Sequence, residues 1–214
     1  MKKILVVVDM QNDFIDGPLG TPEARAIVDN VCEKIRGEEW DRVYSTFDTH
    51  HADYLGIQEG EKLPVVHCIM GTDGWEQNDK VFEAAENQGH MSIFKPSFGS
   101  LDLPRAIDSM LMYNEYFEHT PTKDIELTLV GVCTDICVIS NALLLKAHYP
   151  EMKIVVDASC CAGSTPEKHF MALEVMKSCQ VDVVNEYVYD LNKVMQKRAD
   201  LLGLPKEPYK ESEV

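Results

Sequence analysis

Ile4-Leu5-Val6-Val7-Val8-Asp9 is five apolar residues closed by an acid. There is no polar alternation in the run, as expected of a strand buried on both faces. Lys2 and Lys3 before it give a passing likeness to a signal peptide, but the apolar stretch is too short and ends in a charge. Similar runs recur down the chain. Arg42–Asp48, His90–Lys95, Glu126–Val132, Lys153–Ala158 and Val181–Asn185 are the further strand candidates. Helical patterns fall between them, over about 23–37, 102–116, 136–148 and 166–178. In the last of these, Thr165 is an N-cap and Pro166 takes the first helical position.

Strands alternating with helices predict βαβ units. The expected fold is a three-layer α/β/α domain, built on a six-stranded, mainly parallel, doubly wound sheet. It should occupy residues 1–190, with a C-terminal helix and polar tail over 191–214. The end from Pro205 to Val214 is charged and reads as mobile, or as an arm lying on a neighbour.

Composition narrows the function. The 214 residues carry 20 Lys and Arg against 36 Asp and Glu, a net charge of -16. Such a chain is a poor partner for a nucleic acid or an anionic membrane. No apolar run approaches the roughly 18–20 residues that span a bilayer. There are seven cysteines, an odd number, with no targeting signal and no CxxC spacing. Reduced thiols in the cytoplasm are the expectation. Cys160 and Cys161, adjacent in sequence, read as free thiols rather than a redox pair.

In open α/β sheets, ligands bind at the carboxyl ends of the strands. Those ends carry Asp9, Asp48 with His50, Lys95, and the turn Cys133 to Cys137. A helix beginning near Cys137 would lower the thiol pKa through its unpaired N–H groups and offer them to an oxyanion. The plain alternative is a buried structural cysteine. Asp9, ending a buried strand, needs a partner, and Lys95 is a natural one. Together they make a base, a cation and a nucleophile, or an ordinary structural ion pair. Asp48 and His50, two apart on an extended segment, point the same way and suit a borderline divalent metal. A surface loop is the alternative.

The motifs are VVVDMQNDF at 6–14, DTH at 48–50, HCIMGT at 67–72, KPSFGS at 95–100, GVCTDICV at 131–138 and ASCCAGSTPEKH at 158–169. In these the chain resembles the cysteine hydrolase branch of the isochorismatase-like superfamily, whose best-known members are nicotinamidases. The likeness spans roughly residues 3–190. It implies a catalytic triad of Asp9, Lys95 and Cys137. It implies a cis peptide at Val132–Cys133, aiming the backbone N–H of Cys133, with that of Cys137, at an oxyanion. It implies a metal held by Asp48, His50 and His67, with the substrate's ring nitrogen on that metal. Glu59 is the candidate fourth ligand; His51 would point to the opposite face. Zinc is the default metal, and iron or manganese suit the same ligands.

The implied reaction is hydrolysis of nicotinamide to nicotinate and ammonia through a thioester. The alternatives are another small amide, such as a carbamoyl or ureido compound, and a binding module without catalysis. For the substrate pocket the resemblance points to Phe14 and Phe98. Leu63-Pro64-Val65 stands where the family often has a Trp. Trp75 would pack the loop over the site or face another subunit, and His169 would be structural or face solvent. A homo-oligomer is the further expectation by resemblance.

Overall fold

The computed structural model describes residues 1–112 and 122–186. The segment 191–214, and the end of the helix expected over 102–116, lie outside the described residues. Six strands form one sheet: β1 (Lys2–Val8), β2 (Arg42–Asp48), β3 (Met91–Lys95), β4 (Ile125–Val132), β5 (Lys153–Ala162) and β6 (Asp182–Val184). Their order is β3-β2-β1-β4-β5-β6, and every pairing is parallel. The helices are α1 (Asn12–Ile15), α2 (Pro22–Ala26), α3 (Val28–Gly37), α4 (Gln58–Lys62), α5 (Asp79–Glu86), α6 (Asp102–Met112), α7 (Ile139–His148) and α8 (Pro166–Ser178).

The central strand explains why the sheet is covered on both sides. Ile4, Leu5, Val6, Val7 and Val8 are all fully buried. Ile4, Val6 and Val8 join one core with Leu103 and Ile107 of α6, Leu145 of α7 and Leu173 of α8. Leu5 and Val7 join the other core with Val31 and Ile35 of α3 and Val81 of α5. Alternate side chains of one strand therefore feed two cores. Each such aliphatic burial contributes about 1.5–3 kcal/mol. Every charged group in this layer needs a partner, which places the chemistry at the strand ends.

Several boundaries differ from the sequence reading. The first strand ends at Val8, because Asp9 turns into the left-handed region with φ 48°. Asp tolerates that conformation better than most residues. The helix expected over 23–37 is two helices divided at Ile27. The first starts a residue early, where Thr21 Oγ1 accepts from the Ala24 N–H at 3.0 Å. The strand at 153 runs on to Ala162, so Cys160 and Cys161 fall on opposite faces; both are free thiols. Three short helices, α1, α4 and α5, were not expected. Among the described residues no helix is long and apolar enough to cross a membrane.

The chain winds outward from β1 in one direction through β2 and β3, and from β4 in the other through β5 and β6. The reversal lies between β1 and β4, where a crevice opens at the carboxyl ends. The two strands come very close there. A Cβ on Gly131 would collide with the Val8 carbonyl oxygen, and Gly131 has φ 115°. Only glycine fits. The Val132–Cys133 peptide that follows is cis.

Candidate active site

Three strand ends converge at this crevice. Asp9 follows β1, Lys95 ends β3, and Cys137 lies in the turn after β4. All three are buried. Lys95 Nζ is 2.7 Å from Asp9 Oδ2 and 3.6 Å from Cys137 Sγ. β3 is separated from β1 by β2. The Lys95 side chain thus crosses the end of β2, where its Nζ passes 3.3 Å from Asp48 Oδ1. Thr46 fixes the other Asp9 oxygen, donating from Oγ1 to Oδ1 at 2.7 Å.

The electrostatics follow from burial and from one cation shared by two carboxylates. Burial pushes the Asp9 carboxyl above its ordinary value, against the pull of Lys95. Burial would lower Lys95, but Asp9, Cys137 and Asp48 hold its ammonium well above the usual lysine range. Burial pushes the Cys137 thiol well up, with the Asp9 charge and a hydrogen bond to Asp9 adding to it and Lys95 opposing. Burial and the neighbouring Asp9 carboxylate act against the lowering expected of a helix N-terminus. Together they favour the thiol form of Cys137.

The helix itself also begins differently. Thr134–Val138 is a π-helical turn, and regular α-helix starts only at Ile139. The Cys133 carbonyl accepts from Ile136 N–H and Val138 N–H, each at 3.0 Å, passing over the N–H of Cys137. Asn141, fully buried, then ties this turn to the loop after β3. Its Nδ2 donates to Cys137 O at 2.8 Å and Phe98 O at 3.3 Å, and its Oδ1 accepts from Ser100 N–H at 2.9 Å.

A second cluster lies on the far side of Asp48. One ligand atom from each of Asp48, His50, Glu59 and His67 falls within 4.8 Å of all the others. His50 Nε2 is 3.0 Å from Asp48 Oδ2 and 3.6 Å from Glu59 Oε1; His67 Nε2 is 3.4 Å and 3.8 Å from the same two oxygens. His67 Nδ1 donates to Val65 O at 2.7 Å, which leaves Nε2 as the lone-pair nitrogen facing the cluster. Burial would lower His50, but Asp48 and Glu59 push it up to about 9. Burial raises Asp48, yet His50, His67 and Lys95 outweigh it and hold the carboxyl well below its usual range. Two oxygens and two imidazole nitrogens at this spacing fit a divalent cation of the zinc type, which would take the place of the proton they share. His51 is exposed and outside the cluster.

A cavity of about 320 Å³ is lined by Phe14, Leu63 and Phe98 together with Cys133 and Cys137. That is the lower end of the roughly 300–1,000 Å³ typical of small-ligand pockets. Asp48, Glu59 and His67 also line it. The Phe14 ring meets His67 edge-on, with centroids 5.6 Å apart. Tyr54 packs on both His50 and His67, at 4.6 and 5.0 Å.

The isochorismatase domain family matches residues 3–186. The chain belongs to that family. It is an enzyme of it. The nicotinamidase of Saccharomyces cerevisiae is 22% identical over 218 residues, covering 86% of this chain and all of the relative. The crystal structure of the nicotinamidase/pyrazinamidase of Bacillus subtilis superposes with a TM-score of 0.69 at 28% identity, over 86% of this chain and 99% of that one. The pyrazinamidase of Pyrococcus horikoshii in complex with zinc gives a TM-score of 0.69 at 26% identity, over 87% of this chain and 100% of that one.

Sequence reading missed the residues that hold this family's site together. Gln11, fully buried, accepts from Asp48 N–H at 2.7 Å and donates to Asp48 O at 2.9 Å. Asp13 Oδ2 accepts from Cys68 N–H at 2.7 Å, beside His67. The His67 loop is also pinned to His50, whose N–H donates to Cys68 O at 3.0 Å. A polar triplet of Gln11, Asn12 and Asp13 between the buried Met10 and Phe14 was the available signal. Trp75 packs on Phe47 and Phe94 and donates from Nε1 to Thr49 Oγ1 at 3.0 Å. His169 is half-buried and bonded to Thr134.

Proposed function

We propose that the chain is a metal-containing nicotinamidase, hydrolysing nicotinamide to nicotinate and ammonia. One observation carries the reading: Cys137 of a thiol–carboxylate–ammonium set, and Asp48, Glu59 and His67 of an Asp-His-Glu-His cluster, line the same small, partly aromatic cavity. The first is the equipment of acyl transfer. The second suits a ligand with a basic ring nitrogen. The names of the relatives point the same way.

Asp9 accepts the Cys137 proton as Sγ attacks the amide carbonyl carbon. Lys95 stays protonated and balances the charge gathered at Asp9 and sulfur. The oxyanion is held by the backbone N–H groups of Cys133 and Cys137. The C–N bond breaks, and ammonia leaves with the proton from Asp9. Asp9 next takes a proton from water, whose oxygen attacks the thioester carbon. The acid departs and Cys137 regains its proton. Phe14 and Phe98 hold the ring. Asp48, His50, Glu59 and His67 would hold a divalent metal, zinc by donor chemistry, which when bound supplies a coordination position for the ring nitrogen. The seven free thiols accord with a reducing compartment.

The test is ammonia release from nicotinamide by metal-loaded protein, with Cys137→Ala as the blank. Release that vanishes in the variant supports the reading. No release, with Cys137 alkylated by iodoacetamide and metal bound, removes nicotinamide and directs attention to small carbamoyl and ureido compounds.

A further inference from the structure

The nucleophile turn is fastened to the opposite wall of the cavity by bonds that the chemistry above does not use. Asp135 stands two residues before Cys137. Its Oδ1 accepts from the Ser164 N–H at 2.7 Å and its Oδ2 from the Ser164 hydroxyl at 2.6 Å. Thr134 is fully buried, and its Oγ1 lies 2.8 Å from His169 Nδ1. The anchor side is itself rigid. His169 N–H donates to Thr165 O at 3.0 Å. Thr165 caps α8, its side chain accepting from Lys168 N–H at 3.2 Å. A Cβ on Gly163 would stand 2.8 Å from the His169 backbone nitrogen, so loop and helix are pressed together. The same short segment lines the cavity through Ser164 and Lys168.

We propose that Thr134 and Asp135 are positioning residues, through which residues 163–169 set where the Cys137 thiol stands relative to Asp9. The turn between them is a single π-helical one, and the regular helix begins only after the nucleophile. A single turn carries little stability of its own, so side-chain ties have leverage over its placement. Bonds of this kind contribute modestly to stability. Their effect on rate is larger, since a misplacement of about 1 Å can cost about 10²-fold. The inference rests on the thiol reading of the site, but not on which amide is hydrolysed.

The experiment compares wild type with Thr134→Val, which removes the hydroxyl at similar volume, and Thr134→Ser, which keeps it. Two readouts are taken at neutral pH: kcat and KM for nicotinamide, and the rate of Cys137 alkylation by iodoacetamide followed by peptide mass spectrometry. Thr134→Val is expected to lose about 10- to 100-fold in kcat with KM changed less than about twofold, and to slow alkylation similarly as the thiol leaves its base. Thr134→Ser is expected to restore both. Wild-type values in Thr134→Val overturn the proposal, and so does an equal loss in Thr134→Ser, since the hydroxyl would then not be what matters. Should Thr134→Val fail to fold, Ser164→Ala carries the test. It removes one bond to Asp135 from a half-buried loop; a fall of about threefold or more in kcat is expected, and no change overturns the proposal. If wild type leaves nicotinamide intact, the substrate reading fails, while the alkylation rates still decide the clamp by the same criteria.

Discussion

Asp48 and Lys95 are 3.3 Å apart at the ends of neighbouring strands, and Asp48 faces two ways. Its Oδ1 meets the Lys95 ammonium; its Oδ2 meets His50 and His67. One buried carboxylate therefore joins the thiol centre to the candidate metal cluster. Lys95 is the single cation between two buried acids, since it also pairs with Asp9 at 2.7 Å.

Removing that cation should damage both fold and chemistry. Lys95→Met leaves Asp9 and Asp48 without their shared partner. Loss of one member of a buried pair costs about 3–5 kcal/mol. Urea unfolding should show a drop of that order, and any folded variant should release no ammonia. A variant with wild-type stability would mean that the pair is solvated or replaced.

Two pH effects follow from the site's electrostatics. Asp9 must be ionised to accept a proton, and its carboxyl is held above the ordinary value. Activity is full above the raised pKa and lost as pH falls through it. The acid limb of kcat/KM should thus lie above the ordinary Asp value of about 3.9. A limb at or below that value, with metal content constant, counts against Asp9 as the base. Cys137 is held up, so its alkylation should show no thiolate plateau near neutral pH. Such a plateau would mean an ion pair at rest.

The buried Gln11 grips Asp48 through both backbone groups. It acts on a candidate ligand without being one. Groups that orient metal ligands typically account for 10- to 100-fold in affinity. Gln11→Ala should weaken zinc binding by about that factor, read by competition with a chelator. His67→Ala should abolish stoichiometric zinc, read by elemental analysis. Equal metal in His67→Ala and wild type would remove His67 from the ligand set.

Asn141 links the nucleophile's carbonyl to the loop bearing Phe98. Asn141→Ala strands a buried carbonyl and the Ser100 N–H, with a penalty of about 1–3 kcal/mol for each unmet group. Because the Phe98 wall moves with that loop, KM for nicotinamide should rise along with the fall in stability. A stability loss with unchanged KM would confine Asn141 to a packing role.

Much of this was legible in the sequence, for a definite reason. Strand interiors such as Ile4–Val8 advertise burial by unbroken aliphatic runs. Asp48 and His50 announce a shared direction by their spacing. Glu59 had no such signal. It reaches the cluster from the start of α4, a short helix that the apolar pattern did not indicate, because five mostly polar residues carry too little periodicity. Gln11 and Asn141 were missed because a polar residue beside apolar ones looks the same whether it faces water or a buried backbone group.

The sequence by itself determined the strands, their parallel α/β arrangement and the reactive side chains at their ends, since hydrophobic periodicity is local. Only the tertiary structure decided which of those ends meet. Strand order is a property of the packed sheet, and it sends Lys95 from the edge strand over β2 to Asp9 and Cys137. The electrostatic surroundings of Cys137 were decided there as well. A helix terminus favours the thiolate, full burial beside a carboxylate favours the thiol, and both burial and distance exist only once the chain is folded.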